Sequence, residues 1–113
     1  MNLKNGKIME VQPGVLVTLY PISTLAWECG KDEQTIKKWE SEGKFPRAPF
    51  LGRLGARLYA QEHIAVTVAL LLKENMRIGA SPNFTKKIAA AFAALTIDKL
   101  EHISNENQRA TIQ

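Results

Sequence analysis

The chain has 113 residues, a formal charge of +4 and a pI of about 9.4, a balance that suits an acidic partner such as nucleic acid without requiring one. A single cysteine excludes a disulfide framework and points to a reducing cytoplasm. No apolar run is long enough to span a bilayer, and Met1-Asn2-Leu3-Lys4 lacks the apolar core of a signal peptide; the expectation is one domain with short appendages and a modest core.

Residues 1–20 predict a β-hairpin. Lys7 to Val11 forms a short strand, Pro13-Gly14 fits a type II turn, and Val15 to Tyr20 is β-branched and aromatic enough for the return strand. An isolated hairpin is marginal in water, so this one must dock. It either packs on the domain core, the preferred reading, or offers an edge to another subunit.

The next segment, 21–77, carries the densest local signals. Ser23 to Cys29 reads as a short helix stopped by Gly30, which takes the left-handed conformation at little cost. Asp32 is placed to cap a second helix, Glu33 to Glu40, that ends near Gly43 with Pro46 beyond. Helix, Gly turn and helix is the spacing of a helix-turn-helix, whose second helix can enter the major groove of DNA. Ile36 and Trp39 share one face and are expected to pack on Leu25, Ala26 and Cys29. Glu33, Gln34, Lys37 and Lys38 then point elsewhere. Gln can read an adenine edge and Lys can reach phosphate or guanine, although such a set on its own is equally a solvated helix face.

From Lys44 to Arg57 the charged residues are Lys44, Arg47, Arg53 and Arg57, with no acid among them. Gly52 and Gly55 bracket a tight turn, and Arg57-Leu58-Tyr59 can return as the second strand of a small hairpin. A basic hairpin beside a helix-turn-helix is a wing, whose charge fixes position and affinity more than sequence.

PISTLAWECGKDEQTIKKWESEGKFP followed by RLYAQEHI resembles the N-terminal DNA-binding domain of MerR-type regulators and the related winged-helix domains of phage excisionases. The matching residues are Leu25, Ala26, Gly30, Thr35, Ile36, Lys37, Trp39, Glu40, Gly43, Pro46, Arg57, Leu58, Tyr59 and Ile64, over about half the chain. The resemblance implies a second helix in the major groove and a wing Arg on the DNA backbone, roles that fall to Lys37, Lys38 and Arg57. The chain departs from MerR proper in having only Cys29, read as a small core residue, and too little sequence for a sizeable effector domain. Leu51 and Leu54 also make its wing less basic than many.

After the wing, Ala60-Gln61-Glu62 opens a third helix reaching Asn75 or Arg77, with Ile64, Val68, Leu71 and Leu72 as its core stripe, widened by Ala65 and Val66. His63 and His102 lack partners at metal-ligand spacing. The segment 78–103 holds a fourth helix, capped by Ser81 with Pro82 in its first turn. Ile88 to Leu95 is apolar on every side, so this helix is expected to be buried all round, either in its own domain or against a partner. It either folds back over the third helix or makes a homodimer or higher oligomer, and both readings stand. Residues 104–113 are polar and expected to fray.

Catalytic chemistry has little support: there is no phosphate loop, and the acids Asp32, Glu33, Glu40 and Glu42 read as capping and surface residues rather than an acid–base pair. The fold class expected is mainly α with small β elements, a winged helix-turn-helix with an N-terminal β-hairpin and two C-terminal helices. The function expected is sequence-specific binding of double-stranded DNA, without enzymatic activity or a cofactor, as a transcriptional regulator or mobile-element accessory factor. The DNA-binding set is Glu33, Gln34, Thr35, Lys37, Lys38, Lys44, Arg47, Arg53 and Arg57, with Trp27, Ile36, Trp39, Phe45 and Tyr59 holding these elements in register. A phage packaging or architectural oligomer on DNA, or a protein-interaction module, are the alternatives.

Overall fold

The computed structural model describes residues 2–74 and 82–103. In chain order they form β1 (Lys7–Gln12), β2 (Val15–Pro21), α1 (Ile22–Cys29), α2 (Glu33–Ser41), β3 (Phe50–Leu51), a 3-10 turn at Arg53–Gly55, β4 (Arg57–Ala60), α3 (Gln61–Lys73), α4 (Pro82–Ala94), a second 3-10 turn at Ile97–Lys99 and β5 (His102–Ile103).

The expected fold class, mainly helical with small β elements, does not hold. All five strands belong to one antiparallel sheet, in which β1, β2, β4 and β3 lie in that order and β5 also pairs with β2. Strand β2 is its axis. One edge of β2 pairs with β1, from Lys7 opposite Leu19 to Gln12 opposite Val15. The C-terminal part of β2 pairs with β4, Leu19 opposite Ala60 and Tyr20 opposite Tyr59. Its N-terminal part pairs with β5, Leu16 opposite Ile103 and Val17 opposite His102. The N-terminal hairpin and the wing are therefore not separate small elements. The chain after α4 does not end as helix either, but returns to the sheet. The physical reason lies in β2: Val17 and Leu19 are buried, and a buried strand must satisfy backbone groups on both edges. Periodicity along the sequence does not disclose which distant segments do that.

Two apolar clusters follow from this arrangement. The larger joins Leu25, Ala26 and Cys29 of α1, Ile36 and Trp39 of α2, Phe45, Tyr59, Ile64 and Leu71 of α3, and Phe84 and Ile88 of α4. The smaller lies under the sheet, where Val17, Leu19, Ala60 and Leu100 meet.

Local chemistry sets the helix ends. Gly30 closes α1 in the left-handed conformation at φ 66°, and the N–H of Lys31 reaches Ala26 O at 2.9 Å. The Asp32 carboxylate accepts from the Thr35 N–H at 2.7 Å and starts α2. That bond holds the Asp32 carboxyl below the usual carboxylate range. At the start of α3 the cap is His63, whose Nδ1 accepts from the Ala60 N–H at 3.3 Å.

The helix α3 buries His63, Ile64, Thr67 and Leu71, while Leu72, expected in the stripe, is 62 % exposed and Ala65 is exposed too. Thr67 takes the core position because its hydroxyl donates to His63 O at 2.7 Å and so carries no unmet polar group inward. Asn75 and Arg77 lie outside the described residues, as do Ser81 and the 104–113 tail. Within the single chain α4 is covered on one side only, by the third helix and the core. Phe84 and Ile88 are buried and Phe92 partly so, but Ala89, Ala90, Ala93 and Ala94 are exposed. An Ala side chain is small enough to face water at little cost, so an all-apolar stretch need not be an all-buried one.

Candidate nucleic-acid interface

The surface of interest is the outer side of α2 together with the β3–β4 hairpin. The two are fixed to each other by one ion pair. The guanidinium of Arg57 on β4 donates from Nε to both Glu40 carboxylate oxygens, at 3.2 and 3.1 Å, and from Nη2 to Oε1 at 2.9 Å. The hydrogen bonds to Glu40 outweigh the burial that opposes charge, and the guanidinium is held more firmly protonated than usual. Arg57 was expected to grip the DNA backbone. Its guanidinium braces the hairpin against α2, and Glu40, expected to be a solvated surface acid, is its partner.

The other proposed residues fall into three groups. Gln34 and Lys38 stand one turn apart on α2 and are exposed, with Glu33 exposed and Lys37 half-buried on the adjoining row beside Glu40. Thr35 is half-buried, its backbone N–H used by the Asp32 cap. Lys44 is exposed and pairs with Glu42 at 3.3 Å. Arg47 and Arg53 are exposed, Arg53 in the 3-10 turn at the hairpin tip. Among the described residues Lys37, Lys38, Arg47 and Arg53 make no ion pair, and neither does the exposed Glu33, whereas Glu40 of α2 and Glu42 just past its end are both paired. The surface thus keeps four uncommitted cations against the one uncommitted carboxylate of Glu33. A shallow recess lined by Glu40, Arg47, Ala48, Leu51, Gly55 and Arg57 joins the end of α2 to the hairpin tip, so Arg47 and the tip are continuous with the helix face.

The hairpin tip is tightly closed. Gly52 N–H donates to Ala56 O at 2.7 Å, Gly55 N–H to Gly52 O at 3.2 Å and Ala56 N–H to Arg53 O at 3.2 Å. Within it, Leu54 sits at φ 58°, ψ 29° and is 100 % exposed. A left-handed residue with a Cβ costs roughly 1–2 kcal/mol, and an exposed Leu gives up the burial that normally stabilises it. Leu51, on the strand beside it, is 69 % exposed. Neither leucine was among the expected site residues. The usable signal was an apolar residue between Gly52 and Gly55, where turn chemistry favours Asn, Asp or Gly.

Trp27 was expected to hold the elements in register, but it is 74 % exposed. Ile36, Trp39, Phe45 and Tyr59 are in the core. Phe45 and Phe84 stack with ring centroids 6.4 Å apart, Trp39 lies 6.1 Å from Phe84, and the Thr85 hydroxyl donates to Lys44 O at 3.2 Å. The helix α4 is therefore what supports the C-terminal end of α2. Cys29 is fully buried, its thiol pushed up to about 12 mainly by loss of solvent. No cluster of three metal-ligating side chains occurs among the described residues, and no helix there is long and apolar enough to cross a membrane.

No protein-family model matches the chain, and neither the curated proteins nor the solved structures contain a significant match to it.

Proposed function

We propose that the chain binds double-stranded DNA, as the resemblance to MerR-type and excisionase-like domains implies, with α2 in the major groove and the β3–β4 hairpin on the flanking backbone. The observation that carries this reading is the braced surface on which Lys37, Lys38, Arg47 and Arg53 make no ion pair while Glu40 and Glu42 are taken up, leaving Glu33 as the one unpaired acid against four cations. Gln34 and Lys38 then face base edges, and Arg47 and Arg53 face phosphates. Binding needs no cofactor, and its use is transcriptional control or an accessory role in a mobile element.

The test is fluorescence anisotropy with a random-sequence duplex across a salt series. Each phosphate contact contributes about −0.9 to the slope of log K against log salt. Lys38→Glu combined with Arg53→Glu is expected to abolish binding while circular dichroism stays unchanged, because both side chains are exposed and neither makes an ion pair. Arg57→Glu is unsuitable, since it breaks the brace. Binding of the double variant as tight as that of the wild type, at every salt concentration, defeats the reading.

A further inference from the structure

We propose that Leu54 is a wedge that enters a base step of the duplex from the minor groove and bends it, an inference that rests on the DNA-binding reading. Three observations at one residue carry it. The side chain is wholly exposed, so it contributes nothing to the core. Its backbone is left-handed, a conformation that favours Gly or Asn over Leu. The tip is nonetheless closed by backbone hydrogen bonds at both ends, so the chain presents this leucine on a stiff mount rather than on a floppy loop. Two penalties with no return inside the fold imply a return outside it.

The surroundings select the occupant. An apolar tip meant for another protein's hydrophobic pocket is best ringed by apolar or neutral residues. Here Arg53 precedes Leu54, Arg47 lies beside the recess at the hairpin, and no acid occurs between Lys44 and Arg57. An apolar side chain at the tip of a hairpin that carries Arg53 next to it and no acid matches the chemistry of a minor-groove wedge: the cation follows the narrow, negative groove while the side chain separates two base pairs. Leu is among the side chains that serve in this way, and pyrimidine–purine steps open most readily. Leu51, three residues back at the end of β3 and exposed, would cover the sugar edge beside the opened step.

The experiment uses a short duplex with a fluorophore at each end and 2-aminopurine at a central TA step, titrated with the wild-type chain, Leu54→Asn and Leu54→Met. Asn accepts the left-handed backbone, so Leu54→Asn should fold at least as well as the wild type, checked by its thermal midpoint. The wild type should shorten the end-to-end distance and raise the 2-aminopurine signal. Leu54→Met should retain both effects. Leu54→Asn should lose both, weaken affinity about tenfold, and keep the wild-type salt slope because no phosphate contact has gone. A bend that survives in Leu54→Asn, or a wild-type complex with straight DNA, overturns the wedge and leaves DNA binding standing. Absence of duplex binding by the wild type at low salt overturns both. A concentration-dependent rise in mass that only Leu54→Asn abolishes, with the duplex unbent, assigns the tip to a second copy of the chain and also overturns the wedge.

Discussion

Glu40 on α2 and Arg57 on β4, seventeen residues apart, form a three-bond, partly buried ion pair that ties the helix proposed to read DNA to the hairpin proposed to flank it. A fork of planar N–H groups matches a carboxylate in a way that the point charge of Lys does not. The pair therefore sets an angle between two elements, and its value lies in geometry as much as in energy.

Arg57→Lys should lower unfolding free energy by about 1–3 kcal/mol and weaken duplex binding, even though the charge is unchanged. Urea titration measures the first effect and anisotropy the second. Equal affinity in Arg57→Lys would show that the helix and hairpin need no fixed relation.

His63 gives stability a pH dependence. Burial pushes its imidazole down to about 4, against about 6.5 in the unfolded chain. Its Nδ1 accepts a backbone N–H, which also requires the neutral ring with the proton on Nε2. Below pH 6.5 the unfolded state binds a proton that the folded state refuses. This contribution is thus complete above pH 6.5 and is lost as pH falls toward 4. The loss between pH 7 and pH 5 should be about 2 kcal/mol, and in His63→Gln the same pH step should cost that much less. Identical pH slopes in the two proteins would remove His63 from the account.

Tyr59 is fully buried, and its hydroxyl finds no hydrogen-bond partner among the described residues. Loss of solvent, with Glu40 nearby, pushes its phenol up. Removing an unmet polar group without changing ring packing is favourable, so Tyr59→Phe should unfold at the same temperature or higher, with a gain of up to about 1 kcal/mol. A clear drop in thermal midpoint would reveal a partner for the hydroxyl.

Phe84 of α4 touches Trp39 and Phe45. Phe84→Ala should cost about 3–5 kcal/mol and should loosen α2, because the aromatic contact at the helix end goes with it. Chemical denaturation reads the cost. A loss confined to oligomer mass, with unfolding unaltered, would instead mean that α4 serves association alone.

What could be read in the sequence was what neighbours along the chain decide. Gly30 and Asp32 mark a helix stop and a helix start by their own backbone and capping chemistry, and the structure uses both. Pairing Ile36 with Trp39 needed only the helical repeat. The Arg57 ion pair was not legible because a positive charge carries no record of its partner, and Glu40 lies on another element. Trp27 was misassigned because size and apolarity argue for burial, yet it projects from α1 away from the core. The last strand was invisible. His102–Ile103 has two residues, too few for any alternation, and its pairing with Leu16–Val17 is set by the whole fold. Leu54 was visible as a residue but not as a cost, since exposure and a left-handed backbone emerge only together in three dimensions.

The division of one edge of β2 between β4 and β5 has a consequence for biosynthesis. During translation β1, β2 and β4 can zip together once Ala60 has left the ribosome, but Leu16 and Val17 wait for Ile103. Through that interval a stretch of open β-edge, backed by apolar Val17, is exposed in the nascent chain. A ribosome stalled short of Glu101 would hold a sheet primed to capture any extended peptide nearby. Loss of His102 and Ile103 alone would therefore leave the β2 edge at Leu16 and Val17 open, a vulnerability that the stability of the finished molecule does not reveal.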